Sequence, residues 1–337
     1  MRPANPPPAT CHPPRKAARR LALVLLLGTA AAAPQDIDVR EVAIVSEGTR
    51  MSGQAYSLKS SAGKKLPCIL MAHGWGGTAT ALRPEALFFA KSGYFVAAFD
   101  YRGWGKSESR VILTQPAPSE RPGGKFTAEV REVREVVDPI DMGIDWLNAI
   151  DWAAGEPQCD VNRLGLWGSS FSGGLVVYAA ERDSRVKAIH SQVGAMDGRS
   201  MIQTAGELAK TRDEATKFAR GEAGYPAPGA VVIGNLRGAP IRRKFGIYQP
   251  VEELDRAPHC AMEFVIAEKE ELFDNKDHAL KAMPNVKGPK RLITIPGITH
   301  YGIYFNQAAR QQSNDLALEW FERYLKENRE NQNRQDR

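Results

Sequence analysis

Apolar runs of strand length recur along the chain, and the segments between them carry helix signals. PCILMAH (67–73) and YFVAAFD (94–100) are continuous apolar runs, the pattern of strands buried on both faces. RLGLWG (163–168), RVKAIHSQV (185–193), AMEFVIAE (261–268) and RLITIPG (291–297) repeat the strand signal. VREVAIVS (39–46) and MSGQAYSL (51–58) read as an antiparallel pair around the turn SEGTR (46–50). A helix is predicted over Leu82 to Ser92, ended by Gly93. A longer amphipathic helix is predicted from about Ala128 to Ile150, with a kink or break at Pro139. SSFSGGLVVYAAE (169–181) starts as a turn and continues as a helix, and DNKDHALKAM (274–283) is helical. A terminal helix (306–328) places Leu316, Leu318, Trp320, Phe321 and Leu325 on its apolar positions. Residues 102–124, rich in Gly, Pro and Ser, read as loop. From about 198 to 256 the chain is largely polar without a buried strand, and reads as a helical insertion capping one end of the sheet. The alternation predicts an α/β fold: a mostly parallel central sheet with an antiparallel start and helices on both faces.

The 337 residues, 43% hydrophobic and 25% charged, are ordinary for a globular protein with a sizeable core. The net charge of +6 sits largely at the ends, with Arg2, Arg15, Lys16, Arg19 and Arg20 in the first twenty residues. No basic stripe with interleaved aromatics is present, which argues against nucleic acid as a partner. RKAARR (15–20), LALVLLLGTA (21–30) and the following alanines have the charge, apolar and small-residue order of a signal peptide over residues 1–33. The apolar stretch is short for a bilayer span, so no stable membrane insertion of the mature chain is expected. The expectation is an exported chain, periplasmic or secreted, whose domain runs from 34 to 337; an uncleaved membrane anchor is the alternative. Cys11 would leave with the leader, and the remaining Cys68, Cys159 and Cys260 read as structural and unbridged. None has metal-ligand spacing to a histidine.

In such a sheet, chemistry gathers at the carboxyl ends of the strands. HGWGG (73–77), YRGWGKS (101–107), GSSFSGG (168–174), EKEELFDN (268–275) and ITHYGIY (298–304) each follow a predicted strand. A serine nucleophile needs a histidine to take its proton, a carboxylate to hold the histidine tautomer, and two N–H donors for the oxyanion. GSSFSGG does not fit G-x-S-x-G in either register. The tight turn after the strand nevertheless places Ser170 at its middle, with Ser169 as spacer and Ser172 inside the first helical turn. The ordinary alternative is a Gly/Ser loop that caps a helix. His300 follows the last strand and stands in the order Ser, acid, His. His73 better fits an anchor for the oxyanion loop, His190 a packed strand residue, and His259 lies at the wrong end of the sheet. His278 lies on a helix after the acid loop. Glu268, Glu270, Glu271 and Asp274 are candidate acids; spacing favours Glu270, with Asp274 in reserve. The N–H groups of Trp75 and Phe171 are the expected oxyanion donors, and Tyr101 and Trp104 are expected to shape the substrate pocket.

MAHGWGG (71–77), FDYRGWGKSES (99–109), NRLGLWGSSFSGG (162–174), VIAEKEELFDN (265–275) and IPGITHYGIY (295–304) together resemble the α/β-hydrolase superfamily. The nearest likeness is to its dienelactone-hydrolase-like and acetyl-xylan-esterase-like branch, over about Val39 to Leu325. In this branch the pattern resembles G-x-S-[YF]-S-G-G with the first serine as nucleophile, which agrees with Ser170. The acid there is commonly Asp where this chain has Glu270. The resemblance implies neither metal nor organic cofactor. It implies a serine hydrolase that cleaves a carboxylic ester through an acyl-enzyme. The alternatives are a serine peptidase acting on small peptides, which ester and amide turnover would separate, and a catalytically inactive binding protein, which would not take a fluorophosphonate label.

Overall fold

The computed structural model describes residues 36–233 and 235–327, so the expected signal segment (1–33) lies outside the described residues. Strands β1 (Ile37–Ser46) and β2 (Thr49–Leu58) form a hairpin. Glu47 and Gly48 turn it, both at positive φ (48° and 77°), the backbone that matches a two-residue turn to strand twist. β3 (Leu66–Ala72), β4 (Phe95–Phe99), β5 (Cys159–Ser169), β6 (Val186–Gln192), β7 (Ala261–Lys269) and β8 (Lys290–Thr299) complete one eight-stranded sheet. Its order is β1-β2-β4-β3-β5-β6-β7-β8. β2 pairs antiparallel with both β1 and β4, and all pairs beyond β4 are parallel.

The two faces of the sheet are covered by different helices, and the period of two along each strand divides its side chains between them. Cys68, Leu70, Phe99 and Leu166 pack with Trp146 and Ile150 of α2 (Pro139–Gly155) and Leu175 and Val176 of α3 (Phe171–Ala180). Ile69, Met71, Val96 and Trp167 pack with Phe89 of α1 (Arg83–Lys91) and Trp320 and Phe321 of α5 (Gln307–Phe321). Each large apolar side chain fully withdrawn from water contributes about 2–3 kcal/mol before the entropy of ordering it. Burial on both faces explains why these strands read as apolar runs rather than alternations.

The helix expected from Ala128 begins only at Pro139. Proline has no N–H to donate, so it suits the first helical position, and Asp138 caps it by accepting from the Ile140 and Asp141 amides. Residues Val130–Val133 instead pair antiparallel with Arg110–Leu113, a strand inside the segment read as loop. Residues 198–256 contain α4 (Ala205–Ala219) and short strand pairs, none of which joins the central sheet. Among the described residues no helix is long and apolar enough to cross a membrane. Cys68, Cys159 and Cys260 are buried and unbridged.

β5 passes into α3 through a tight crossing. A Cβ added at Gly168 would stand 2.3 Å from the Ser172 carbonyl oxygen, a backbone atom that cannot step aside. Gly168→Ala should therefore cost about 3 kcal/mol in chemical denaturation. A loss under about 1 kcal/mol would contradict the crossing described.

Candidate active site

The chain leaves β3 toward β4 on one side and β5 toward β6 on the other, which opens a crevice at the carboxyl ends of β3 and β5. Ser170 stands there, between β5 and α3, with φ 57° and ψ −124°. A non-glycine residue at such angles costs about 1–3 kcal/mol and persists only where its surroundings hold it. Three backbone hydrogen bonds do so. The Ser170 amide donates to the Gln192 carbonyl (2.8 Å), and the Ser170 carbonyl accepts from the Gly173 (2.9 Å) and Ala195 (3.1 Å) amides.

His300 Nε2 lies 2.9 Å from Ser170 Oγ, and His300 Nδ1 lies 2.9 Å from Glu270 Oε2. The His300 and Glu270 side chains are almost wholly buried. Glu270 Oε1 also accepts the Leu272 amide at 3.0 Å, which fixes the carboxylate plane. Glu271 points the other way and accepts the backbone amides of His300 and Tyr301. Partial burial raises the Glu271 pKa, but these amide donors outweigh it and hold the carboxyl below its usual range. Asp274 is exposed and accepts the Lys276 amide at 2.9 Å, far from the acid role held in reserve for it.

The loop after β3 lies directly on this turn. A Cβ at Gly74 would meet Ser169 O and Ser170 Cβ, each at 2.9 Å. Among the described residues, neither the Trp75 nor the Phe171 amide donates to a protein acceptor. His73 is buried and anchors the loop: its Nδ1 meets Gly74 O at 2.8 Å, and its ring packs edge-on against Tyr101. The Trp75 indole N–H donates to Gly238 O (3.1 Å), which ties the loop to the insertion.

Beside Ser170 is a cavity of about 100 Å³. Trp75, Phe171, Phe245, Tyr248 and Phe273 form an aromatic wall, completed by Met201, Leu236 and Leu272. Asp197, Ser200 and His278 form its polar end. The insertion thus supplies much of the lining. A larger cavity, about 460 Å³, lies between α4 and residues 239–244, and none of Ser170, Glu270 or His300 lines it. Among the described residues no group of three or more metal-ligating side chains could hold a metal ion.

The sequence model of the X-Pro dipeptidyl-peptidase (S15) family matches residues 47–219, just over half of the chain. The chain belongs to this family. Among curated relatives, the quorum-quenching protein AidA of Acinetobacter baumannii is 35% identical over 145 residues, 43% of this chain and 40% of that protein. The chain spans about two fifths of the length of the curated relatives it matches. Among solved structures, an α/β hydrolase from Penicillium superposes with a TM-score of 0.63 at 19% identity, over 86% of this chain and 99% of that one. A putative dienelactone hydrolase from Klebsiella pneumoniae gives 0.56 at 14% identity, over 86% of this chain and 100% of that one. The S15 family member described here has the α/β-hydrolase fold that its five motifs resemble.

Two residues expected to shape the pocket do not line it. Tyr101 is fully buried, its hydroxyl accepting the Trp146 indole N–H (2.9 Å) and sharing a hydrogen bond with Ser172 Oγ (3.0 Å). Trp104 is buried and donates to Val136 O at 3.1 Å. Tyr101 turns toward Trp146 of α2 and Ser172 of α3, and Trp104 toward Val136 ahead of α2, because partners for their polar atoms lie there. Ser172 is therefore more than a small residue at the crossing. Ser169, read as a spacer, bonds Tyr304 (2.6 Å) and Gln192 (2.7 Å). Tyr304 stands four residues after His300, and their ring centroids lie 6.1 Å apart.

His278, read only as a helix residue after the acid loop, lines the cavity. Its Nδ1 accepts the Met196 (2.9 Å) and Asp197 (3.2 Å) amides, and its ring packs on Phe273. Burial lowers its pKa to about 4, against the pull of Asp197, Asp277 and Asp274. A histidine in the unfolded chain titrates near 6.5. Between these values the unfolded chain takes up a proton that the folded chain refuses. This contribution to stability is fully present above about pH 6.5 and is lost as pH falls to about 4. Urea midpoints should decline over that window, and decline less in His278→Asn; equal declines would contradict the buried neutral imidazole.

Proposed function

We propose that the protein is a serine hydrolase that cleaves a carboxylic ester through an acyl-enzyme. The observation that carries this reading is the unbroken line of Ser170 Oγ, His300 and Glu270 behind a backbone held at positive φ. Ser170 Oγ attacks the ester carbonyl carbon while His300 Nε2 takes its proton. The carbonyl oxygen becomes an oxyanion, held by the Trp75 and Phe171 amides, and the N-terminus of α3 adds favourable potential. His300 then gives the proton to the departing alkoxide, leaving Ser170 acylated. A water molecule repeats the sequence: His300 takes its proton, the acyl carbon receives the hydroxide, and Ser170 recovers the proton as the acid departs. Glu270 accepts the Nδ1–H of His300 throughout, which fixes the tautomer and stabilises the imidazolium.

The aromatic lining favours a short apolar acyl group over a dipeptide. A dipeptidyl-peptidase site needs a carboxylate free to hold the substrate ammonium, and Asp197, the carboxylate in the cavity, is already paired with Arg199 and lies 3.8 Å from Lys281. Export is part of the proposal and rests on the signal-like order of residues 15–33.

Hydrolysis of short p-nitrophenyl esters tests the assignment. Ser170→Ala should fall by about a million-fold and Glu270→Gln by about ten-thousand-fold in kcat. Ser172→Ala, which loses one hydrogen bond to Tyr101, should stay within about tenfold. Background rates in Ser172→Ala with an active Ser170→Ala would overturn it.

A further inference from the structure

We infer that His278 is a substrate-binding residue that donates a hydrogen bond from Nε2 to a neutral acceptor oxygen carried by the acyl group. The inference rests on the ester-hydrolase reading above. Its starting point is the tautomer. Two backbone amides, of Met196 and Asp197, both aim at Nδ1. An amide can only donate, so Nδ1 carries a lone pair and the ring proton sits on Nε2. That Nε2–H is buried and finds no acceptor in the protein, although His278 is only 1% exposed. A buried donor left unpaired costs about 1–3 kcal/mol. His278 lines the same cavity as Ser170, so a group that enters the cavity and shifts the Phe273 ring packed on His278 can supply the acceptor.

The position of His300 decides which half of the ester that is. The leaving oxygen must meet His300 Nε2 to receive its proton, and His300 does not line this cavity. The half that fills it is therefore the acyl group. The acceptor is neutral because, among the described residues, no lysine or arginine lines this cavity to pair with an anion. The aromatic wall accepts the hydrocarbon part of such a group, and Ser200 is turned away, donating to Asp197 O at 3.3 Å. The fitting class is a short acyl chain with an ether, keto or hydroxyl oxygen.

The test compares p-nitrophenyl butyrate with p-nitrophenyl methoxyacetate, which replaces one methylene by an ether oxygen at nearly constant shape. The readout is the ratio of their kcat/KM values in each protein, so that intrinsic ester reactivity cancels between variants. His278→Asn keeps an acceptor near Nδ1 and removes the distal donor; the ratio should fall about tenfold in favour of butyrate. His278→Gln places an amide N–H near the Nε2 position and should recover most of the preference. Equal ratios in all three proteins would overturn the assignment of His278. A second measurement needs no substitution. The Nε2–H proton resonance of His278 should shift more when Ser170 carries a methoxymethylphosphonate than a propylphosphonate, and equal shifts would also overturn it. Wild-type protein that turns over neither ester and takes no phosphonate would overturn the hydrolase reading itself, whereas turnover with unchanged ratios defeats only the role of His278.

Discussion

The conformation of Ser170 is the constraint on which the site depends. A side chain at φ 57° and ψ −124° is disfavoured on its own, and the chain reaches it because three neighbours compel it. The Gln192 carbonyl at the end of β6 takes its amide, while Gly173 in α3 and Ala195 beyond β6 hold its carbonyl. Each of these partners exists only when β5, β6 and α3 are packed together. The strain is thus supported by the sheet, and it lifts Oγ out of the turn toward His300.

The same economy governs the acid loop. Two consecutive glutamates divide the handling of one histidine, Glu270 taking its ring and Glu271 its backbone. The imidazole is fixed from both ends, so the proposed mechanism requires little reorganisation when charge develops on it. The insertion then closes the other side of Ser170. Phe245 and Tyr248 pack against Phe171, the residue after the proposed nucleophile, and Phe245 also meets Trp75. In the proposed mechanism, substrate choice and oxyanion geometry are therefore coupled through shared aromatic contacts.

Much of the fold was legible because strands buried on both faces leave continuous apolar runs, as in PCILMA and FVAAF. The placement of Ser170, His300 and Glu270 was legible for a related reason, since each follows such a run at the carboxyl edge. Residues 128–138 misled because VREVREVV spaces its apolar residues as an amphipathic helix does. Pairing with Arg110–Leu113 and the start of α2 at Pro139 are tertiary outcomes that a local period does not carry. Tyr101 and Trp104 follow β4 at the right edge yet turn to Trp146 and Val136 rather than into the cavity, since strand position fixes depth but not direction. His278 was read only as a helix residue after the acid loop, and its place in the cavity was not legible because its partners, Met196 and Asp197, lie some eighty residues away in sequence.

The central claim is that the turn at Ser170 makes this hydroxyl, and neither of its neighbours, the nucleophile. Mass spectrometry of the peptide spanning residues 164–182 after fluorophosphonate treatment tests it most directly. A single adduct on Ser170, absent when His300 is replaced by Ala, is the expected result. An adduct on Ser169 or Ser172, or none on the folded protein, would contradict it.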